Sequence, residues 1–182
     1  MILVVAATER ELERVSGADT LCCGIGPVEA ALQTARALAE RQPHAVLHVG
    51  IAGARELAPL STVLGAEAVY CDVVDPSSSL PRIERAEPSG QLLATARAAL
   101  PDAHVLPIGT CGRVGGGDGC EVEAMEGFGV LRAAALAGVP AVELRVVSNA
   151  VDEADRGRWR IEEALDVLGD AVQRLIAELN GA

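Results

Sequence analysis

Apolar runs and polar breaks alternate along the chain at a spacing that predicts strands and helices in turn. Ile2–Ala6 is a continuous apolar run, which suits a strand buried on both faces. Further strand-like runs cover residues 20–23, 45–49, 62–74 and 103–108, and a helical pattern covers residues 91–100. Strands that alternate with helices predict a single α/β domain, residues 1–182, whose twisted central sheet is largely parallel or mixed and is flanked by helices.

Helix boundaries are marked by capping residues. Pro27 follows Gly26 and is expected in the first turn of a helix that runs to residue 41. Thr8 with Glu11 three residues later is the pattern of a capping box, which predicts a short helix after the first strand. The last helix has one apolar stripe, expected to pack on the sheet or on a partner, made of Ile161, Leu165, Leu168, Val172, Leu175 and Leu179.

Residues 121–149 hold the most informative pattern in the chain. The segment predicts a strand, an acidic turn containing Glu126, an Ala-rich helix, and a strand that ends in Ser148-Asn149. Open α/β sheets form ligand crevices at such strand ends. Taken singly, Glu126 is explained as a helix-start carboxylate and Asn149 as a turn residue. Taken together, they favour a ligand site.

Two further strand ends carry candidate site residues. Glu11 follows the first strand, so its carboxylate can face a crevice as well as close the capping box. The sequence Gly50-Ile-Ala-Gly53 follows the third strand, and its small residues either let backbone amides approach a ligand or form a tight strand-to-loop turn. Residues 75–89 are expected to form a surface loop or lid, and residues 109–119, with six glycines, a mobile loop.

Composition excludes several classes of partner. The net charge of −11 argues against binding to nucleic acid or to an anionic membrane, and no apolar run reaches the length of a membrane span. The apolar start is expected to be a core strand rather than a secretion signal. Five cysteines without metal-like spacing indicate small buried side chains in a reducing cytoplasm, with reactive Cys111 and Cys120 as the alternative. The three histidines are dispersed, so no metal site is expected.

Several pieces of the chain resemble, in order, the nucleoside phosphorylase and nucleosidase superfamily. They are residues 6–11, 50–53, the Val-Glu-Ala-Met-Glu-Gly piece at 122–127, and the Arg-Val-Val-Ser-Asn strand end at 145–149. Together with Asp-Arg-Gly-Arg-Trp-Arg-Ile at 155–161, they are similar to the futalosine hydrolase family, which is related to methylthioadenosine/adenosylhomocysteine nucleosidases. The resemblance implies hydrolysis of the N-ribosidic bond of a purine nucleoside, with futalosine as substrate, hypoxanthine as product and menaquinone biosynthesis as the pathway.

The resemblance also implies roles for individual residues. Glu11 corresponds to the carboxylate that activates the attacking water, and Asn149 to the residue at the purine imidazole edge. Glu126 corresponds to the carboxylate that holds the ribose hydroxyls, and Met125 packs under the sugar. The backbone of Ala52 and Gly53 is expected near the sugar and the water. The family chemistry needs no cofactor or metal, and the family habit of sharing active sites between subunits implies a homodimer or higher homo-oligomer.

Physical chemistry makes sense of these residue types. Cleavage of the N-ribosidic bond passes through a cationic ribosyl oxocarbenium ion, which carboxylates stabilise, while one carboxylate deprotonates the water. The amide of Asn149 favours a 6-oxopurine base, whereas a protonated Asp would suit adenine. Because the residues from Gly50 to Gly53 offer no hydroxyl and Arg55 is expected to face away, water is favoured over phosphate as the nucleophile.

The chain also departs from the family. It is shorter than most members, and the difference is expected between residues 74 and 121, where the base pocket and lid are normally built. No aromatic residue for stacking on the base is evident, and Phe128 is expected in the core. Three alternatives therefore stay open: a methylthioadenosine/adenosylhomocysteine nucleosidase, a purine nucleoside phosphorylase, and a catalytically weakened module that binds nucleosides or a partner.

Overall fold

The computed structural model describes residues 1–73, 79, 81–117 and 119–181, and the elements are named in chain order. The strands are β1 (Ile2–Ala6), β2 (Asp19–Cys22), β3 (Ala45–Ala54), β4 (Thr62–Tyr70), β5 (Arg85–Ala86), β6 (His104–Thr110), β7 (Val122–Ala124) and β8 (Ala141–Ala150). The helices are α1 (Glu9–Leu12), α2 (Pro27–Arg41), α3 (Gly90–Ala99), α4 (Gly127–Ala137) and α5 (Ile161–Gly181), with a 3-10 turn at Arg156–Arg158.

The strands form one mixed sheet, which confirms the predicted α/β class. Strand β1 pairs in parallel with β2 and β3, and β3 pairs in parallel with β8. Strand β8 also pairs with β4 in antiparallel fashion, β4 continues through β6 to β7, and β7 returns to β3. Hydrogen bonds therefore close a ring of five strands, and the ends of β3, β7 and β8 meet at one place on that ring.

Helices cover both faces of the sheet. The buried side chains of α5, among them Leu168, Val172 and Leu175, pack in one core cluster with residues of β1, β3 and β8. Helices α2 and α4 pack on the opposite face, in a second cluster. The C-terminal apolar stripe, expected to pack either on the sheet or on a partner, packs on the sheet of its own chain. The stripe therefore gives no support to the expected oligomer.

The third strand is longer than predicted. It continues through Gly50 to Ala54 instead of turning there, because it pairs with β8 along its whole length. The register shifts by one residue between Ala52 and Gly53. The alternative of a strand-to-loop turn at residues 50–53 is therefore wrong, and the small residues lie inside a strand.

Gly50 lies where no side chain fits. A Cβ atom there would be 2.2 Å from Nη1 of Arg145 and 2.7 Å from Oε1 of Glu11. Only glycine lets these two buried groups approach the strand so closely.

The two predicted loops are described in part. Of residues 75–89, positions 75–78 and 80 lie outside the described residues, and Arg85–Ala86 forms a short strand beside β4. Of residues 109–119, Gly109 and Thr110 belong to β6, and Asp118 lies outside the described residues. The rest of this glycine-rich segment is irregular. The Glu123 carboxylate holds it in place by accepting hydrogen bonds from the backbone N–H groups of Gly115 and Gly117.

The cysteines behave mainly as small packed side chains. Cys23, Cys111 and Cys120 are buried, and all five thiols of the chain are free. Burial raises the pKa of Cys23 and Cys111 to about 12 and that of Cys120 to about 11. Because the thiolate is the reactive form, this argues against the alternative of reactive Cys111 and Cys120. Within the described residues, no helix is both long and apolar enough to span a bilayer.

Helix α5 offers a direct test of the core. Leu168 is fully buried against the sheet, so Leu168→Ala is expected to lower the free energy of unfolding by about 2–5 kcal/mol. Leu136 on α4 is 72% exposed, and Leu136→Ala is expected to change it by less than about 0.5 kcal/mol. Urea denaturation followed by circular dichroism measures both. Equal losses in the two variants would contradict the packing of α5 on the sheet.

Candidate active site

A cavity of about 580 Å³ opens where β1, β3, β7 and β8 end and α4 begins. Its walls come from segments that are far apart in sequence, including α1, the start of α5 and the glycine-rich segment before β7. The structure brings all six predicted site residues to this cavity: Glu11, Ala52, Gly53, Met125, Glu126 and Asn149.

Glu11 is held by hydrogen bonds from two elements. Its Oε2 accepts from the backbone N–H of Thr8 at 3.0 Å and from the Thr8 hydroxyl at 2.8 Å, and the predicted capping box is present. Its Oε1 accepts from the backbone N–H of Ile51 in β3 at 3.0 Å. The capping role and the position at the cavity thus coexist, because the same carboxylate bridges the start of α1 and β3.

Glu126 occupies the N-cap position of α4, but its side chain makes no capping hydrogen bond. Its Oε1 accepts instead from the backbone N–H of Gly26, just before α2, at 3.1 Å. Its Oε2 lies 3.6 Å from Nη2 of Arg145. The carboxylate is therefore close to the N-terminal ends of two helices, α2 and α4, where negative charge is favoured.

Burial raises the pKa of Glu126, and the nearby Glu11 charge adds to this effect. The Arg145 charge and the Gly26 hydrogen bond act in the opposite direction. The net result is a carboxyl group that protonates at higher pH than an exposed glutamate.

Asn149 lies inside β8 and not in a turn, so the turn interpretation of this residue is wrong. Its Nδ2 donates to the carbonyl of Ala150 at 2.9 Å, and its Oδ1 accepts from the Ser148 hydroxyl at 2.7 Å. The side chain is 6% exposed. An amide nitrogen has two protons, so one N–H remains for a ligand when the other is bound to Ala150.

Arg145 is the centre of a buried network that none of the sequence predictions included. The residue is fully buried in β8, and its Nε donates to Oε1 of Glu143 at 2.8 Å. Its Nη2 contacts Nε2 of His48 and faces Glu126. Nδ1 of His48 lies 2.9 Å from the carbonyl of Val5, which can only accept, so Nδ1 carries the proton and Nε2 accepts from Arg145.

The charges of this network give the floor of the cavity a negative balance. Burial, and then the Arg145 charge, hold the pKa of His48 well below its usual range, so His48 is neutral. One guanidinium group therefore faces three carboxylates, those of Glu143, Glu126 and Glu11. Burial alone would lower the pKa of Arg145, but the attraction of the three carboxylates outweighs burial and raises that pKa.

A signal for this network does exist in the sequence. Glu143 and Arg145 are two residues apart in an apolar strand, so their side chains point to the same face. Two opposite charges on one face of a buried strand indicate an internal ion pair. His48 gave no such signal, because its contact with Arg145 depends on the pairing of β3 with β8.

The mouth of the cavity is lined by the Asp-Arg-Gly-Arg-Trp-Arg-Ile segment and by neighbouring residues. Trp159 donates from its indole nitrogen to the carbonyl of Glu153 at 3.0 Å, and Arg156 lies over its ring at 5.3 Å. Arg10 and Arg113 also line the cavity, and Arg10 forms an ion pair with Glu162. The mouth is therefore more cationic and more aromatic than the floor.

Two expectations about residues outside the site are confirmed. Phe128 stacks on Tyr70, with ring centroids 5.0 Å apart, and packs against the core beside α2 and α4 instead of lining the cavity. Arg55 faces away from the cavity, because its guanidinium donates to the carbonyls of Cys120 and Gly117.

Known proteins resemble this chain in sequence and in structure. A sequence model of the phosphorylase superfamily matches residues 20–181. A protein named futalosine hydrolase from Streptomyces coelicolor is 36% identical over 184 residues, covering 87% of this chain and 78% of that protein. A second, from Acidothermus cellulolyticus, is 36% identical over 187 residues, covering 87% of this chain and 75% of that protein.

The fold matches that of a futalosine hydrolase mutant from Helicobacter pylori with a TM-score of 0.87 at 18% identity. That match covers 97% of this chain and 98% of the other. The family follows from the identity and coverage of these sequence matches. The chain belongs to the phosphorylase superfamily and, within it, to the futalosine hydrolase family.

Proposed function

We propose that this protein hydrolyses the N-ribosidic bond of a purine nucleoside, and that futalosine is its substrate, with hypoxanthine as the released base. The observation that carries the proposal is the meeting of Glu11, Glu126 and Asn149 in one cavity. These side chains come from α1, the start of α4 and β8, and each is held by hydrogen bonds to its surroundings. The names of the 36% identical relatives support futalosine as the substrate.

The floor of the cavity suits a transition state with a cationic sugar. In this proposal, Glu126 accepts hydrogen bonds from the ribose hydroxyls, Met125 packs under the sugar ring, and the backbone of Ala52 and Gly53 lies beside it. All four residues line the cavity. As the bond to the base breaks, positive charge develops on the ribose. A floor with more carboxylates than cations stabilises that charge more than it stabilises the neutral nucleoside.

Glu11 is placed to activate water. Its Oε1 is fixed by the Ile51 N–H, and Nη1 of Arg145, which has no hydrogen-bond partner among the described residues, approaches the same side of Gly50. A carboxylate held in this way accepts a proton from water while the water attacks the anomeric carbon.

Asn149 is placed to stabilise the departing base. Its free amide N–H can donate to the imidazole nitrogen of the purine as negative charge develops there. An amide also tolerates the exocyclic oxygen of a 6-oxopurine, whereas it cannot supply the acidic proton that a protonated Asp would give to an adenine. This residue supports hypoxanthine over adenine as the base.

Phosphorolysis is the second candidate, because one observation favours it. Arg10, Arg113 and Arg156 line the cavity and could neutralise phosphate. Arg10 is already paired with Glu162, Arg156 lies on Trp159, and the floor next to Glu11 is acidic. These contacts favour water as the nucleophile.

A homo-oligomer in a reducing cytoplasm is part of the proposal. Ile25, just before α2, and Val28 and Leu32 in its first turns are each more than 60% exposed. Exposed apolar groups of this size support burial against another subunit. The five free thiols support a reducing compartment.

The reaction itself is the first test. Futalosine, inosine and methylthioadenosine are each incubated with the protein, with and without phosphate, and base and sugar products are separated by chromatography. We expect hypoxanthine from futalosine at a rate that phosphate does not change, and slower release from the other two. Formation of a sugar 1-phosphate would support the phosphorylase alternative, and tight binding without turnover the weakened binding module.

Glu11→Gln tests the role of the water-activating carboxylate. Glutamine keeps the acceptor for Ile51 but cannot take a proton, so kcat is expected to fall about 100- to 10,000-fold with little change in substrate affinity. Glu9→Gln on the same short helix is the matched control, because Glu9 is exposed and absent from the cavity wall. Steady-state kinetics measure kcat, and calorimetry measures affinity. A fully active Glu11→Gln variant would refute this role.

Asn149→Asp tests whether residue 149 selects between a 6-oxopurine and a 6-aminopurine base. An aspartic acid at this position can donate a proton to a 6-aminopurine, so the ratio of kcat/KM for methylthioadenosine to that for futalosine is expected to rise at least about 10-fold. Asn149→Ala is the control, since it removes the amide without adding an acid and is expected to lower both rates. An unchanged ratio in Asn149→Asp would show that Asn149 does not select the base.

A further inference from the structure

Glu143 is a fully buried carboxylate for which the proposed reaction has no direct use. It does not line the cavity, and its Oε1 accepts from Nε of Arg145 at 2.8 Å. Its Oε2 has no hydrogen-bond partner among the described residues. A Cβ atom on Gly127, the first residue of α4, would lie 2.4 Å from that oxygen, so the carboxylate is packed tightly against the residue that follows Glu126.

Stability alone does not account for this carboxylate. A buried ion pair loses about as much solvation as it gains in attraction, and apolar residues of similar size often give a more stable core. Ala141, which points to the same face of β8 as Glu143, is apolar and buried, so an apolar side chain would suit this part of the strand. The charge at position 143 therefore has an effect other than filling space.

Glu143 fixes the orientation of the Arg145 side chain. A guanidinium group is planar and rigid, so its donors cannot be moved independently. Glu143 occupies Nε, and His48 and Glu126 face Nη2. With these positions taken, Nη1 must point to the place beside Gly50 where Glu11 also approaches. Nη1 itself has no hydrogen-bond partner among the described residues, so the contacts of Nε and Nη2 fix the orientation of the Arg145 side chain beside both cavity carboxylates.

We propose that Glu143 is a positioning residue that aims Arg145 at Glu126 and Glu11 and, through its own charge, sets the protonation of Glu126. The proposal rests on the proposed function for its effect on catalysis, but its electrostatic part does not require any activity. Glu143 and Glu126 carry like charges and share the same cation, so each disfavours ionisation of the other.

The groups that face Glu126 define the sign of the effect. Burial and Glu11 raise the pKa of Glu126, whereas Arg145, the Gly26 N–H and the backbone of Met125 lower it. Removing the charge of Glu143 while keeping its shape removes one repulsion and leaves Arg145 in place. The Glu126 carboxyl group should then ionise at lower pH than in the wild type.

Titration of the Glu126 carboxyl carbon by NMR in wild type and Glu143→Gln tests the electrostatic part. Glutamine keeps an oxygen acceptor for Nε of Arg145, and the pKa of Glu126 is expected to fall, because one nearby like charge is lost from the protein interior. The signal is assigned by its loss in Glu126→Gln. The control is Glu67→Gln on β4, which removes a carboxylate paired with Arg85 and should leave the pKa of Glu126 unchanged.

Glu143→Asp tests the positioning part and also covers the case in which Glu143→Gln does not fold. Aspartate keeps the charge but is one methylene shorter, so it draws away from Arg145. We expect kcat to fall at least about 10-fold with KM changed less than about threefold, and the acid limb of the pH profile to move to higher pH, because a displaced Arg145 lowers the pKa of Glu126 less. In Glu143→Gln the acid limb is expected to move to lower pH, because Glu126 remains ionised there.

The outcomes separate the two proposals. A wild-type protein without nucleosidase activity refutes the proposed function, while the NMR titration still decides the effect of Glu143 on Glu126. An active wild type whose kcat and acid limb are unchanged in both Glu143 variants, together with an unshifted Glu126 titration, refutes the positioning role. Loss of stability with unchanged kinetics in the folded fraction refutes it as well, since Glu143 would then be structural only.

Discussion

A single buried cation, the Arg145 guanidinium, holds the floor of the cavity together. Three carboxylates approach it from different parts of the fold, and each would be costly to bury without it. Glu143 lies on the same strand, Glu126 begins α4, and Glu11 caps α1. The arrangement satisfies most of the buried charge and still leaves a negative excess, which is the property that a cationic sugar requires.

Strand β3 makes this arrangement sterically possible. It pairs with β8 in parallel, so that His48 faces Glu143 and Gly50 faces Arg145 across the ladder. His48 supplies a neutral acceptor, and Gly50 supplies the space in which Arg145 and Glu11 come together. The register shift after Ala52 then brings Gly53 beside Asn149. The sheet thus determines both the floor of the cavity and the position of the amide.

The sequence predicts the outline of the site but not its interior. Glu126 and Asn149 stand out as polar groups beside apolar elements, whereas Glu11 stands out only because it follows the first strand and matches a residue of the family. The continuation of β3 was missed because glycine normally weakens a strand, and here the pairing with β8 overrides that preference. The contacts of His48 with Arg145 depend on the register of two strands almost 100 residues apart, which no local pattern records.

The hydrogen bond from Gly26 to Glu126 links the cavity to the outer surface of the molecule. The amide of Gly26 belongs to the turn that leads into α2, next to the exposed apolar side chains of Ile25 and Val28. In the proposed reaction, sugar hydroxyls that bind Glu126 share its oxygens with this amide. One carboxylate thus contacts both the cavity and the turn that carries that apolar surface.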